Sequence, residues 1–440
     1  MGGPSRGGHG LPPVPSSPSG VRELAGGVTI TEGAIRESVL PNGVQVVTEQ
    51  VPGRRSVSAG VWVRHGAAHD PAARSGASHL LEHMVFKGTE GRTAHDIALS
   101  LEALGGALDA YTSREHTAFQ ARVLGRHLPD ALDVLADMVL NPSLRDTDLE
   151  LEREVILEEI AQVEDTPDDL VFELHGARLY GSHPYGRSIL GTAETVAELT
   201  AADLRGLHAE AYRGRSLLVA GAGNLEHDAF LDGVAALFEG LDGGAPPHDV
   251  VAPPPPAEGD ERVTRDSAQS HVVLGTALPR HSDPSRYALT LLSATLGGGM
   301  SSRLFQKVRE ELGLCYSVYT YQSFQKEGGV GGVYVGTRPA TEERAVAAVR
   351  TEMAKVAGSG IPPDELQRTK QQVKGQVLIS LESTSARLHR LTAFGLYDEP
   401  FMALDEILAR LDAVTPEEVA ELAGRYCAPE HQLVLRLGRA

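Results

Sequence analysis

The segment His79-Leu80-Leu81-Glu82-His83 sets two imidazoles four residues apart with a carboxylate between them. Positions i and i+4 of an α-helix are neighbours on one face, so His79 and His83 can converge on one metal ion with Glu82 alongside. Neutral imidazoles are ligands of catalytic zinc, which acidifies water until it becomes a nucleophile near neutral pH, and a flanking carboxylate is placed to take the proton. The chemistry is that of a metal-dependent hydrolase. The chain has 17 histidines, so the pattern also arises by chance and needs a third ligand to carry weight.

That ligand is expected to be a carboxylate on a separate element, because catalytic zinc sites use three protein groups and keep one position open. Downstream, Leu149 to Ile160 is a helix-like run with several acids, and its apolar positions Leu151, Val155 and Ile156 keep helical spacing. Glu152 and Glu159 lie two helical turns apart and share a face. Read alone, the run is also an ordinary solvated acidic face.

Other stretches carry a family pattern: Leu40-Pro41-Asn42-Gly43, Gly76-Ala77-Ser78 before the motif, Phe86-Lys87-Gly88-Thr89 after it, Ala110-Tyr111-Thr112-Ser113-Arg114-Glu115, and His183-Pro184-Tyr185-Gly186. From about residue 35 to the C-terminus the chain resembles the inverted-motif zinc metallopeptidases, or inverzincins, of the pitrilysin and insulinase family. The likeness is closest to bacterial processing-peptidase-like members with one pair of domains and to the β subunit of the mitochondrial processing peptidase. The resemblance implies a Zn2+ cofactor held by His79, His83 and Glu159, with Glu82 as general base and Glu152 orienting the site. It implies that Arg309 and Tyr316 reach the active site from the opposite half of a clamshell, to hold the substrate backbone and stabilise the oxyanion. It also implies that the strand carrying Asp109, Ala110 and Tyr111 accepts a peptide by strand addition. Asp109 departs from the family's usual Asn, and a carboxylate cannot donate to a substrate carbonyl as an amide does. Asp169 and Glu173, on an expected continuation of the ligand helix, match acids that recognise an Arg near the cut site in the processing-peptidase branch.

The elements that must position these residues fall into two halves. Gly243 to Asp260, with Pro246-Pro247 and the run Pro253 to Pro256, reads as an extended linker. Before it come strand patterns over 44–49 and 57–63, the motif helix, a helix over 94–104 stopped by Gly105-Gly106, and a strand pair over 107–124. After it the order recurs: a strand over 271–278, a helix from Pro284, Gly297-Gly298-Gly299, a helix over 303–312, then strands over 315–337. The fold class is therefore α+β: two similar α/β domains in tandem, each an antiparallel-rich sheet with helices packed on one face, together half of a clamshell. The boundaries are a disordered tail at 1–25, an N-terminal zinc-binding domain at 26–240, a Pro-rich linker at 241–262 and a C-terminal domain with the Arg/Tyr pair at 263–440. The glycine triplet lacks the following Lys of a phosphate-binding loop and reads as a turn or mobile loop.

Net charge of −19 argues against binding nucleic acid and favours basic over acidic peptides. Cys315 and Cys427 cannot build a disulfide framework and fit a reducing compartment, and no apolar run spans a membrane, so a bacterial cytoplasmic location is expected. The expected function is a zinc endopeptidase that cuts unfolded peptides in a chamber closed by two subunits. The chain carries both the zinc motif and the Arg/Tyr pair, so a homodimer is self-sufficient; a heterodimer with a paralogue is the other arrangement. The competing reading is a non-catalytic core or partner-dependent subunit of a processing-peptidase assembly.

Overall fold

A computed structural model describes residues 34–439; the expected tail at 1–25 lies outside the described residues. The most apolar strands are buried along nearly their whole length, the pattern of strands covered on both faces. They sit centrally in a six-stranded sheet formed by β1 (Ala34–Val39), β2 (Gln45–Gln50), β3 (Ser56–Val63), β4 (Ala107–Thr112), β5 (Thr117–Leu124) and β6 (Leu217–Gly223), in the order β1-β2-β6-β3-β5-β4. The second half forms a five-stranded sheet from β7 (Gly259–Thr264), β8 (Ser270–Leu278), β9 (Cys315–Phe324), β10 (Gly329–Thr337) and β11 (Leu433–Gly438), in the order β7-β11-β8-β10-β9.

The tandem relation is exact in topology. β2 pairs β6 in parallel and every later neighbour is antiparallel; β7 pairs β11 in parallel and the rest of that sheet is antiparallel. β4 and β9 therefore occupy the same edge position in their sheets. β1 is an added edge strand that no sequence pattern announced. The segment read as linker is irregular from 243 to 258, but its last residues belong to β7, where Val263 turns inward and charged neighbours face out. The linker is also tied down: Val250 is buried, and His183 Nε2 lies 2.9 Å from the Val251 carbonyl.

Each sheet packs its own helices on one face around a large core. The other face is covered by a helix from the opposite half. Helix Thr384–Leu396 lays Leu388 and Leu391 against Val47, Trp62, Ala118, Leu218 and Ala220 of the first sheet. Helix Pro167–Tyr180 lays Leu170 and Val171 against Val273, Tyr334, Leu435 and Leu437 of the second. Where this exchange crosses, Arg387 meets Glu49 in an ion pair whose side chains are 6% and 1% exposed, and the His175 ring packs on Gly275. A Cβ at Gly275 would stand 2.7 Å from His175 Cε1, so only glycine admits the ring.

Candidate active site

The motif helix spans Ala77–Val85 and is aimed by what precedes it. Gly76 adopts φ 93°, and a side chain there would press on the Leu190 carbonyl at 2.6 Å. Asp70, 2% exposed, accepts hydrogen bonds from the Gly76 N–H (3.2 Å), the Ser78 N–H (3.1 Å) and the Ser78 hydroxyl (2.6 Å). A carboxylate at a helix N-terminus satisfies orphan donors and complements the helix dipole. Leu80, Leu81, Met84 and Val85 fasten one face of the helix into the core. The opposite face then presents His79, Glu82 and His83 together.

The third group comes from the long helix Asp146–Asp165. His79 Nε2 lies 3.8 Å from Glu159 Oε2, and His83 Nε2 lies 3.8 Å from Glu159 Oε1. Three ligand atoms, one from each residue, fall within 4.8 Å of one another, the one such cluster of metal-binding character among the described residues. These separations are too long for hydrogen bonds. They are close to the ~3.3 Å between two ligands of one tetrahedral zinc ion, given bonds of roughly 2.0 Å. Burial, with His83 adding to it, lowers the pKa of His79 to about 4, so its ring is neutral at physiological pH, as a ligand must be. The residues present fit a divalent ion with nitrogen and oxygen donors.

The surroundings fix these groups. His83 Nδ1 lies 3.1 Å from Glu152 Oε2, and Lys87 Nζ sits 2.6 Å from Glu152 Oε1. The carboxylate thus holds His83 in the tautomer that leaves Nε2 free for the site. Glu82 is 8% exposed and accepts a 2.6 Å hydrogen bond from the Thr112 hydroxyl on β4. Burial raises the pKa of Glu82, and Thr112 and His83 oppose that rise. A carboxylate so desolvated is a stronger base than one in water.

Sequence spacing placed Glu152 and Glu159 on one face, and the structure brings both to the histidines. The apolar reading of the same helix is corrected: Leu151 and Val155 are 68% and 43% exposed, whereas Glu152 is buried and Ile156 alone of the three faces the core. The inward side is marked by Leu149 and Ile156 in the core, with Leu157 and Ile160 packed against it, and Glu152 is buried alongside them. Asp109, Ala110 and Tyr111 lie on β4, an edge strand, as expected. Asp169 and Glu173 are not on a continuation of the ligand helix. The chain breaks at Thr166, Pro167 starts a new helix, and that helix packs on the second sheet, with Asp169 near Tyr319 and Tyr334.

Arg309 and Tyr316 sit together in the second half, the guanidinium 5.1 Å from the Tyr316 ring centroid and 4.6 Å from that of Phe305. Neither hydrogen-bonds to the His79, His83 and Glu159 cluster of the same chain. The helix expected at 303–312 is wound as a π-helix over Phe305–Glu311. Sequence reasoning missed Asp70, Thr112 and Lys87, each of which acts on the motif from outside it. Lys87 and Thr112 both stand in stretches that carry the family pattern, and strand alternation puts Thr112 on the same face as Ala110; Asp70 left no such signal.

Two histidines, one carboxylate and a buried glutamate beneath an edge strand make up the kind of centre that metal-dependent hydrolases build. Comparison with known proteins agrees with that class. The model of the insulinase family, peptidase family M16, matches residues 45–193, and that of the M16 inactive domain matches residues 198–373. An uncharacterized zinc protease of Streptomyces coelicolor is 39% identical over 400 residues, covering 89% of this chain and 87% of that protein. One of Bacillus subtilis is 37% identical over 403 residues, covering 91% and 98%. Among solved structures, a peptidase M16 inactive domain from Pseudomonas fluorescens superimposes with a TM-score of 0.87 at 23% identity, covering 92% of this chain and 98% of that one. A protease from Helicobacter pylori gives 0.85 at 21%, covering 92% and 100%. The chain belongs to the insulinase family of peptidases, M16. No helix among the described residues is long and apolar enough to cross a membrane.

Proposed function

We propose that this protein is a zinc-dependent endopeptidase that hydrolyses unfolded peptides inside an enclosed chamber. The convergence of His79, His83 and Glu159, with Glu82 beside them, is the observation that carries this reading. Relatives over most of the chain that are named zinc proteases support it. The three residues would hold the ion. A zinc ion bound there supplies Lewis acidity, acidifying water and polarising the peptide carbonyl.

The protein's own groups do the rest. Glu82 takes the proton from the attacking water and returns it to the leaving amine, and Thr112 fixes the carboxylate for both transfers. Glu152 keeps His83 oriented. The free edge of β4 receives the peptide through main-chain hydrogen bonds, which give affinity with little sequence demand. Arg309 and Tyr316 serve the site of a second subunit, so a homodimer is complete and encloses its substrate. The unpaired cysteines suit the reducing bacterial cytoplasm.

The test is hydrolysis of a quenched fluorescent peptide by wild type and Glu82→Gln, with zinc content measured in both. The expected result is a loss of 10²-fold or more, roughly the contribution of a general base, with zinc retained. A zinc-loaded wild type that cleaves nothing would overturn self-sufficiency and favour a partner-dependent or non-catalytic subunit.

A further inference from the structure

This inference rests on the reading of β4 as the strand that receives the peptide. Alternation divides the strand's side chains between two faces. Leu108 and Ala110 pack on the core beneath the motif helix, and Thr112 bonds Glu82. Asp109 and Tyr111 point the other way, where Tyr111 joins the cluster around the exchanged helix Thr384–Leu396. There the Tyr111 ring lies 6.1 Å from that of His389 and 5.7 Å from that of His116.

Asp109 is exposed, and its hydrogen bond is a long one, accepted from Gln120 Nε2 at 3.4 Å. The groups on its face are Gln120 on β5, Tyr111 on its own strand and His389 on the exchanged helix; Glu82, on the opposite face, senses its charge only at a distance. Burial lowers the pKa of His389, and that of His116 to about 4, so neither ring supplies a counter-charge at neutral pH. The outer face of the edge is left with a carboxylate, a tyrosine ring and a neutral imidazole, and with no lysine or arginine paired to Asp109 among the described residues.

We propose that Asp109, Tyr111 and His389 form a side-chain subsite that selects a lysine or arginine at the peptide residue lying opposite Asp109. In an added strand that residue projects to the same face, its Cβ about 5 Å from that of Asp109. A long cationic side chain reaches the carboxylate while its stem lies along the Tyr111 ring. Residues of the peptide one position away turn toward the zinc face and do not sense Asp109. The selection therefore reads alternate residues, and only one of them by charge.

Binding separates this proposal from the reading beneath it. Zinc-loaded Glu82→Gln protein is titrated with fluorescein-labelled peptides of one parent sequence, in which Lys, Gln or Glu is placed at each position in turn, and anisotropy is recorded. The expected result is one position at which Lys binds about three- to tenfold more tightly than Glu, as opposite and like cross-strand charges require. Asp109→Asn should collapse that ratio toward one, and Asp109→Lys should invert it in favour of Glu, a gain that misfolding cannot produce. Peptides that bind with no charge-sensitive position, or a ratio that survives Asp109→Lys, would overturn the subsite alone. No binding by any peptide would overturn strand addition at β4, and the subsite with it.

Discussion

Replacing Glu152 by Gln preserves the side chain's shape and removes its charge, which isolates what the carboxylate does for His83. In the wild type one oxygen faces His83 Nδ1 at 3.1 Å and the other faces Lys87 Nζ at 2.6 Å. An amide cannot satisfy both. With its oxygen toward His83, its NH2 confronts the Lys87 ammonium; turned around, its NH2 forces the His83 proton onto Nε2, the atom that must ligate. The loss is at least the difference between a charged and a neutral hydrogen bond, about 1 to 1.5 kcal/mol, or roughly tenfold in metal affinity. Lys87 is 34% exposed, so the loss of its own pair adds little. Glu152→Ala removes the partner altogether and should approach a hundredfold, the upper range for groups that orient a ligand. Zinc affinity is read by competition with a chromophoric chelator at neutral pH, alongside thermal unfolding of the metal-free proteins. A Glu152→Gln protein that binds zinc within about twofold of wild type would refute the tautomer argument.

Other outcomes follow from the same structure. Arg387→Met strands the buried Glu49 carboxylate and should destabilise the protein by about 3 to 5 kcal/mol in urea unfolding, with most of the loss recovered in the Arg387→Met, Glu49→Leu double variant. His175, at 1% exposure, has its pKa lowered by burial to about 4, below its unfolded value. Its contribution is fully present above pH 6.5 and is lost as pH falls from 6.5 toward 4, by up to about 3 kcal/mol; His175→Gln should flatten the dependence of melting temperature on pH in that window. Gly76→Ala forces a Cβ against the Leu190 carbonyl at a left-handed φ and should lower zinc affinity and stability together, by at least about 1 kcal/mol in unfolding.

The chemistry of the site was legible because most of it is local. His79, Glu82 and His83 sit within one helical segment, and Glu152 and Glu159 within another, so helical periodicity alone puts each set on one face. The tandem halves were legible in their strand and helix order, since β3 to β5 and β8 to β10 carry the same punctuation by glycine and turn residues. What remained hidden depends on contacts between distant segments. Leu388 and Leu391 read as an ordinary amphipathic stripe, and nothing in their spacing says that the stripe covers the other half's sheet. Asp70 reads as a loop acid, because a side chain that caps a helix from six residues before Gly76 leaves no periodic trace. The inward face of the ligand helix was misread in part because Glu152, a carboxylate, is buried beside Leu149 and Ile156, while Leu151 and Val155 face outward; hydrophobicity alone does not mark such a face.

The exchange of covering helices decides what the two halves are to each other. Thr384–Leu396 belongs by sequence to the second half and by packing to the first, and Pro167–Tyr180 does the reverse. A chain opened at the proline-rich segment would yield two fragments, each missing one layer of its own sandwich and carrying its neighbour's. Such fragments are complements rather than modules: apart, each exposes an apolar sheet face; mixed, they restore every buried surface and reassemble. The repeat visible in the strand order thus persists as a pattern of topology, while the packing makes each copy complete only with the other.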